Sequence, residues 1–375
     1  MRVERETAGF ALPFTAGVLL AVYSGYHPGA SHQAAYLAAF ITVSLALILL
    51  MHPSRRKMSF VLPWLLTCLA ALGTGMICGF TSVDIGLGES HTGILHTIRN
   101  RAAGYGLRIQ EAIDSIPFRD RSSNAIAKAL ITGERSDIPK DLIRAFRESG
   151  ASHILALSGL HLGIIYGIVR GLLSAFGNHH RIRVLRSAMI VATCGFYTMA
   201  TGAGPSIVRA FLFILLAEAA TLCHRHRSTG QILMAALIIQ LTFSPASAKS
   251  AGFQLSYAAM AGIAFIFPWL KSLWPGEIHD DRLSIRGMRK IWETCAMSIS
   301  CQMTTAPLAW AYFGTMPKHF LLTNLLALPL TALTVPAILI TLLMVSTTGC
   351  PDMMIATTET LISCLIRLLE IISEM

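Results

Sequence analysis

Long apolar runs separated by short polar stretches fill most of the chain. A hydrocarbon core takes about 20 apolar residues per helix. Runs of that order recur at roughly 9–25, 34–51, 60–80, 153–176, 188–202, 206–222, 230–243, 251–270, 291–311 and 320–346. The pattern predicts about ten spans. Several are short or carry Gly and Pro and are read as broken or re-entrant, which membrane depth tolerates only where protein buries the backbone or water wets it. The run 354–373 fits either a further span or an amphipathic helix on the surface with Arg367 and Glu370 outward. The predicted fold class is all-α, a polytopic transmembrane helical bundle with a small, mainly helical water-facing segment.

That segment is 81–152, which divides the chain into N-terminal spans (1–80), the segment itself, and a larger transmembrane domain (153–375). It opens on a turn-rich stretch, Thr81 to Ser90. A helical pattern follows from about His91 to Ile116, with Ile94, Leu95, Ile98, Ala102, Tyr105, Ile109, Ala112 and Ile113 on one face. Pro117 ends it. A second helix is expected over 121–132 up to Gly133, and a third opened by Pro139 at its first position. Ten basic and nine acidic residues nearly balance here. A solvated cap on the membrane surface is therefore favoured over a basic face guiding an anionic substrate.

Composition agrees with the pattern. Of 375 residues, 54% are hydrophobic and 13% charged, against about 25% charged in a soluble domain. The formal charge of +10 is no sign of nucleic acid by itself, because cytoplasmic loops collect Lys and Arg. With the N-terminus inside, the inner loops hold Arg2, Arg5, Arg55, Arg56, Lys57, Arg181, Arg183, Arg186, Arg225, Arg227, Lys271, Arg282, Arg286, Arg289 and Lys290, while the short outer loops hold only Lys249 and Lys318. The eight cysteines form no C-x-x-C pair and read as small apolar residues in helices. The first apolar run lacks a small-residue cleavage site and is expected to be a retained span.

Three stretches carry candidate chemistry. In His153-Ile-Leu-Ala-Leu-Ser-Gly-Leu-His161, the polar cluster Ser158, Gly159 and His161 sits early in an apolar run, where polar groups cost free energy unless paired or wetted. It reads as a packing seam, as a pore-lining position, or, least well for want of an orienting third group, as a Ser/His nucleophilic pair. His153 and His161 are eight apart, so one helix face cannot present both to a metal. In Thr201-Gly-Ala-Gly-Pro-Ser-Ile-Val-Arg209, Gly202, Gly204 and Pro205 break the helix and Arg209 enters the next span. A buried arginine needs an anion or water. Its partner is either a carboxylate such as Glu218 or an anionic substrate such as a phosphate backbone. In the third stretch Gln254 and Ser256 open a span, and Asn324 with Pro329 lies in a later one. Polar residues recurring in several spans point to a wet interior. There is no Walker A pattern.

At these stretches the sequence resembles the ComEC family of competence proteins, inner-membrane channels for DNA uptake. Gly133-Glu-Arg-Ser136 and Phe146 to His161 match its G-[DE]-[RK]-S and F-R-x-x-G-x-x-H-x-L-A-x-S-G-L-H patterns. Gly202 to Ala210 match G-x-G-P-S-x-x-R-A, and Gly252 to Tyr257 match G-F-Q-L-S-[FY]. The region from Pro307 to Pro329 is also similar. The resemblance implies a channel passing single-stranded DNA from periplasm to cytoplasm, with periplasmic DNA-binding and cytoplasmic helicase-type competence proteins, membrane lipids and a homo-oligomer as expected partners. Family members often carry a periplasmic OB-like domain, in whose place stand only the 81–90 stretch and its helices. Many also carry a metallo-β-lactamase-like domain, whose H-x-H-x-D-H pattern is not found here, so a short form with no nuclease activity, metal or cofactor is expected.

The substrate path is expected to include Ser158, Gly159, His161, Gly202, Pro205, Arg209, Gln254, Ser256 and Asn324. Two other classes of function fit the residues without the resemblance: a transporter of another anionic polymer or lipid head group, and a non-conducting accessory membrane protein. The charge pattern predicts a cytoplasmic N-terminus and a periplasmic 81–152. Reporter fusions at Arg56 and Asp120 should give cytoplasmic and periplasmic signals respectively, and reversed signals would sink the topology.

Overall fold

A computed structural model describes residues 2–23, 43, 61–85, 94–155, 157–175, 179–223, 228–274, 283–314, 319–347 and 349–375. The described residues are mostly helical, and no strand occurs among them. In chain order the helices are α1 (Arg2–Tyr23), α2 (Val61–Ile85), α3 (Ile94–Asp114), α4 (Arg121–Thr132), α5 (Lys140–Glu148), α6 (Ser152–Leu155), α7 (Gly159–Ser174), α8 (His180–Ala200), α9 (Pro205–Leu222), α10 (Thr229–Phe243), α11 (Ala251–Ala261), α12 (Phe267–Ser272), α13 (Leu283–Phe313), α14 (Phe320–Thr347) and α15 (Asp352–Glu374). Among the described residues, three segments are long and apolar enough to cross a membrane: Pro205–Leu222, Ala251–Ser272 and Phe320–Thr347. Four shorter apolar helices accompany them, Thr7–Tyr23, Thr67–Gly79, Gly159–Ser174 and Thr229–Phe243.

Several expectations are corrected. Helix α2 runs to Ile85, so the turn-rich stretch does not begin at Thr81. The expected run 153–176 holds two helices, α6 ending at Leu155 and α7 starting at Gly159. Pro139 caps α5 from outside and is not its first residue. Helices α8 and α13 start well before their apolar cores, so Arg181, Arg183, Arg186, Arg286, Arg289 and Lys290 lie on helices and not in loops. The expected span 34–51, apart from Val43, lies outside the described residues, as do Arg55, Arg56, Lys57, Arg225, Arg227, Arg282 and Lys318.

The chain forms two compact units, Met1–Gly93 with Cys223–Tyr257, and Ile94–Leu222 with Ala258–Met375. In the first, α1 and α2 cross at small residues. A Cβ on Gly17 would lie 2.1 Å from the Leu72 carbonyl oxygen, and one on Gly75 2.0 Å from that of Phe14. Gly79, one turn on, faces Ala21, where an added Cβ would meet the Ala21 Cβ at 2.5 Å. Gly75-x-x-x-Gly79 thus lets the backbones touch, as membrane helices do where lipid offers no hydrophobic drive. Phe14, Val18, Val22, Ala71, Leu241, Ala248 and Phe253 pack the core beside this crossing.

In the second unit the largest core joins Ile126, Leu130, Phe146 and Ile154 to Val335 and Ile338 of α14 and to Ile362, Leu365 and Leu369 of α15. Helix α15 buries Ile355, Thr358, Ile362, Leu365, Leu369 and Ile372 as one stripe and leaves Arg367 and Glu370 exposed. It is amphipathic, with its apolar side turned to protein. Helix α4 owes its limits to local chemistry. The Asp120 carboxylate accepts from the Ser122 N–H at its start, and Gly133 takes φ 79° at its end. A second core gathers Leu162, Ile190, Cys194, Tyr197 and Ile207 between α7, α8 and α9. Between α11 and α12 the helix widens into one π turn, Gly262–Ile266. A Cβ on Gly262 would lie 2.3 Å from the Ser300 carbonyl oxygen of α13. Beyond the turn, Lys271 pairs with Glu293 of α13 at 3.0 Å.

The α1–α2 crossing yields a stability test. Gly75→Val puts a branched side chain against backbone that cannot move aside, and should cost about 3 kcal/mol. Gly171→Ala, where an added Cβ meets nothing within 4 Å, is the control. The first should lower the amount of folded protein in the membrane several-fold and the second leave it unchanged.

Candidate functional site: the breaks before α7 and α9

The α6–α7 break is made by Ser158. Its backbone is extended (φ −117°, ψ 171°), and its hydroxyl accepts the Leu160 N–H at 3.2 Å. The third residue of α7 answers it, with the Ser158 N–H donating to Nδ1 of His161 at 3.3 Å. This is a capping box with histidine in the place usually held by Glu or Gln. Because Nδ1 accepts, the ring proton sits on Nε2. His161 is wholly buried, and its Nε2 has no hydrogen-bond partner among the described residues. The Ser158 Oγ lies 3.2 Å from Nδ1, but its lone pair serves the cap and nothing orients the imidazole from its far side. The Ser/His contact is a helix cap. Since the helix is broken between them, His153 and His161 are not eight residues apart on one cylinder.

The second break follows α8. Gly202 and Ala203 both take positive φ, 84° and 51°. The Ala203 N–H reaches back to the Thr198 carbonyl at 2.9 Å, the wide bond of a Schellman turn. Pro205 then stands first in α9, where its missing N–H costs nothing, and Arg209 follows one turn in, 8% exposed. The two breaks meet. A Cβ on Gly159 would lie 4.0 Å from Nη2 of Arg209 and 3.4 Å from the Ala210 Cβ. So Ser158, Gly159 and Arg209, from stretches some fifty residues apart, converge at the N-terminal ends of α7 and α9.

The other expected residues are placed differently. Asn324 is in the first turn and a half of α14, its Oδ1 buried without a hydrogen-bond partner among the described residues. Beside it, Thr323 donates to the Ser149 carbonyl at 2.6 Å. Gln254 and Ser256 belong to the other unit. There Gln254 Nε2 donates to the Ala248 carbonyl at 2.9 Å and to Tyr23 Oη at 3.0 Å, which fastens the turn before α11. Ser256 is half-buried on α11.

Sequence reasoning missed two constructions. The first is around Glu218, which accepts from Ser187 Oγ at 2.6 Å and Tyr166 Oη at 3.0 Å, with Arg170 Nη1 at 3.6 Å. Arg170 also donates to the Tyr166 oxygen and stacks over its ring at 5.6 Å. The signal was an aromatic and a cation four apart in an apolar run. The second is the loop after α4. Glu134 turns its carboxylate back to accept the N–H groups of Arg135 and Ser136, both at 2.9 Å. Arg135 Nε donates to the Leu155 carbonyl at 3.1 Å. A Cβ on Gly133 would lie 2.7 Å from Leu157 Cδ1. The loop therefore grips the chain on the near side of the α6–α7 break. Lys128 holds the loop from beneath, donating to Asp137 and, at 3.0 Å, to Asp114.

A helical membrane protein whose polar groups gather at helix breaks is the class these features define. The chain belongs to the competence-protein family, whose pattern matches residues 130–375, and within it to the ComEC type. It is 32% identical over 136 residues to ComE operon protein 3 of Bacillus subtilis (strain 168), which covers 36% of this chain and 17% of that protein. It is 25% identical over 246 residues to the uncharacterized protein YcaI of Escherichia coli (strain K12), 63% of this chain and 30% of that one. An uncharacterized protein of Aquifex aeolicus (strain VF5) is 25% identical over 210 residues, 56% of this chain and 45% of the relative. The chain thus spans less than half the length of each of these relatives. No solved structure matches.

The Lys128 bridge makes a pH prediction. The Lys128 ammonium hydrogen-bonded to Asp137 holds that carboxyl below its ordinary value. A depressed carboxylate contributes stability above its unfolded pKa, about 3.9, and loses it as pH falls through the lower folded value. Lys128→Ala should lower stability at pH 7 by about 2 kcal/mol. Below about pH 4 the wild type should lose part of this advantage, and the two melting curves in detergent should converge.

Proposed function

We propose that this protein is a channel of the inner membrane through which single-stranded DNA enters the cytoplasm during natural transformation. In this reading it has about ten spans, a cytoplasmic N-terminus and a periplasmic 81–152. Family membership supports the role in DNA uptake. The observation that carries the rest is the meeting of Gly159 with the Arg209 guanidinium where two helices break. A guanidinium stays charged at any physiological pH and matches phosphate oxygens. Placed one turn inside α9, it reaches a vestibule without crossing the bilayer centre. Glu218, the carboxylate on the same helix, is engaged by Tyr166, Ser187 and Arg170. Gly159 lets the chain at the start of α7 lie close against the guanidinium.

The partners in this reading are single-stranded DNA, the surrounding lipids, DNA-binding proteins on the periplasmic side and a helicase-type protein on the cytoplasmic side, with a second copy of the chain as a further candidate. Motive force comes from a partner or a gradient, and no catalytic step, cofactor or metal is assigned. Transport of another anionic polymer or lipid head group uses the same guanidinium and is the second reading.

Charge reversal separates the accounts. Arg209→Glu should abolish transformation, by at least 100-fold, at an unchanged amount of membrane protein, and Arg209→Lys should retain part of it. Gly159→Leu should also block uptake while the protein accumulates normally. A fall in folded Arg209→Glu protein that reversal of a carboxylate partner restores would instead mark a structural ion pair. Full transformation by the Arg209→Glu protein would rule out both.

A further inference from the structure

We propose that Arg135 is a phosphate contact at the mouth of the path, acting ahead of Arg209. The inference rests on the reading above that a nucleic-acid strand passes the α6–α7 break.

Arg135 is exposed, yet it is not loose. Its Nε is fixed to the Leu155 carbonyl at 3.1 Å, the last residue of α6 before the break. That bond uses one face of the guanidinium. Neither Nη group has a protein acceptor among the described residues. The acids beside it are committed elsewhere: Glu134 to the backbone N–H groups of Arg135 and Ser136, and Asp137 to Lys128. A surface arginine next to two carboxylates would ordinarily pair with one of them, for at most about 1 kcal/mol. Here the loop turns both carboxylates away and presents a held, planar, unneutralised donor face. Planar pairs of N–H groups match phosphate oxygens, and holding them in advance removes part of the entropic cost of binding.

The placement fits a strand in transit. Arg135 is tied to Leu155 and Arg209 abuts Gly159. Four residues of backbone separate those attachment points, at most about 14 Å of chain. Two guanidiniums attached at either side of one break can take phosphates of the same strand, the outer one exposed and the inner one buried.

The test uses the full-length chain purified in detergent, binding a fluorescent single-stranded dT 20-mer across a salt series. Loss of one phosphate contact flattens the log–log salt slope by about 0.7 for single strands. Arg135→Gln should show that flattening and bind roughly tenfold more weakly at low salt. Arg135→Lys should keep the wild-type slope and bind with intermediate affinity, since it keeps the charge and loses the planar face. Both should melt within a few degrees of wild type. If Arg135→Gln melts much earlier, the Arg135→Lys protein decides, and wild-type affinity there overturns the proposal. Wild-type affinity and slope in Arg135→Gln, or weaker binding with an unchanged slope, overturn it as well, the latter marking a structural role. Failure of the wild type itself to bind would overturn the channel reading, and this inference with it.

Discussion

A helix break leaves backbone groups that a continuous helix would pair, and between α6 and α7 side chains take up several of them. Arg135 supplies a donor for the Leu155 carbonyl, Ser158 an acceptor for the Leu160 N–H, and His161 an acceptor for the Ser158 N–H. Each of these groups also fixes something else. Arg135 belongs to the loop that Glu134 and Lys128 stiffen, so the helices before the break and the entrance of α7 are tied together. His161 is held in one tautomer with its remaining donor buried. Gly159, placed by the cap, lies where the guanidinium of α9 arrives. Removing the break would leave Arg135 without its anchor and Arg209 without its neighbour.

How much of this was legible follows from which signals are local. The α4 helix with Gly133 at its end, and the α8–α9 break at Gly202, Gly204 and Pro205, were read from residues that act within a few positions of themselves. The division of 153–176 was not, because hydropathy stays high through Leu155-Ala-Leu157 and the cap has His where Glu or Gln signals a helix start. That hidden break also undid the spacing argument about His153 and His161. The Arg135 anchor was unreadable for a different reason: its acceptor is a backbone carbonyl twenty residues on, and every residue has one. Gln254 read as a polar lining residue but serves a turn, since an amide looks the same in sequence whichever role it fills.

The two ends of α9 carry buried side chains of opposite charge, Arg209 and Glu218. Near its C-terminal end, Glu218 is surrounded by Ser187, Tyr166 and Arg170 from neighbouring helices. An ionised group so enclosed is costly to disturb, because losing one partner leaves the charge uncompensated. Near its N-terminal end, Arg209 is buried beside Gly159, a residue without a side chain. One helix thus holds a cation near its start and an anion near its end on the same rigid axis.

The π turn at Gly262–Ile266 can be viewed as a phase shift. It inserts one extra residue into an otherwise continuous helix, and a residue is worth about 100° of rotation. Everything beyond it is turned by that amount relative to a regular helix, and with this turn Lys271 comes to face Glu293 on α13. The contact of Gly262 with the Ser300 carbonyl pins the place where the shift occurs. Shortening the segment by one residue would give smoother geometry and a helix of the same composition, with its polar end pointing the wrong way. The irregular turn is therefore a timing mark: it decouples the angular setting of the two halves of a single helix.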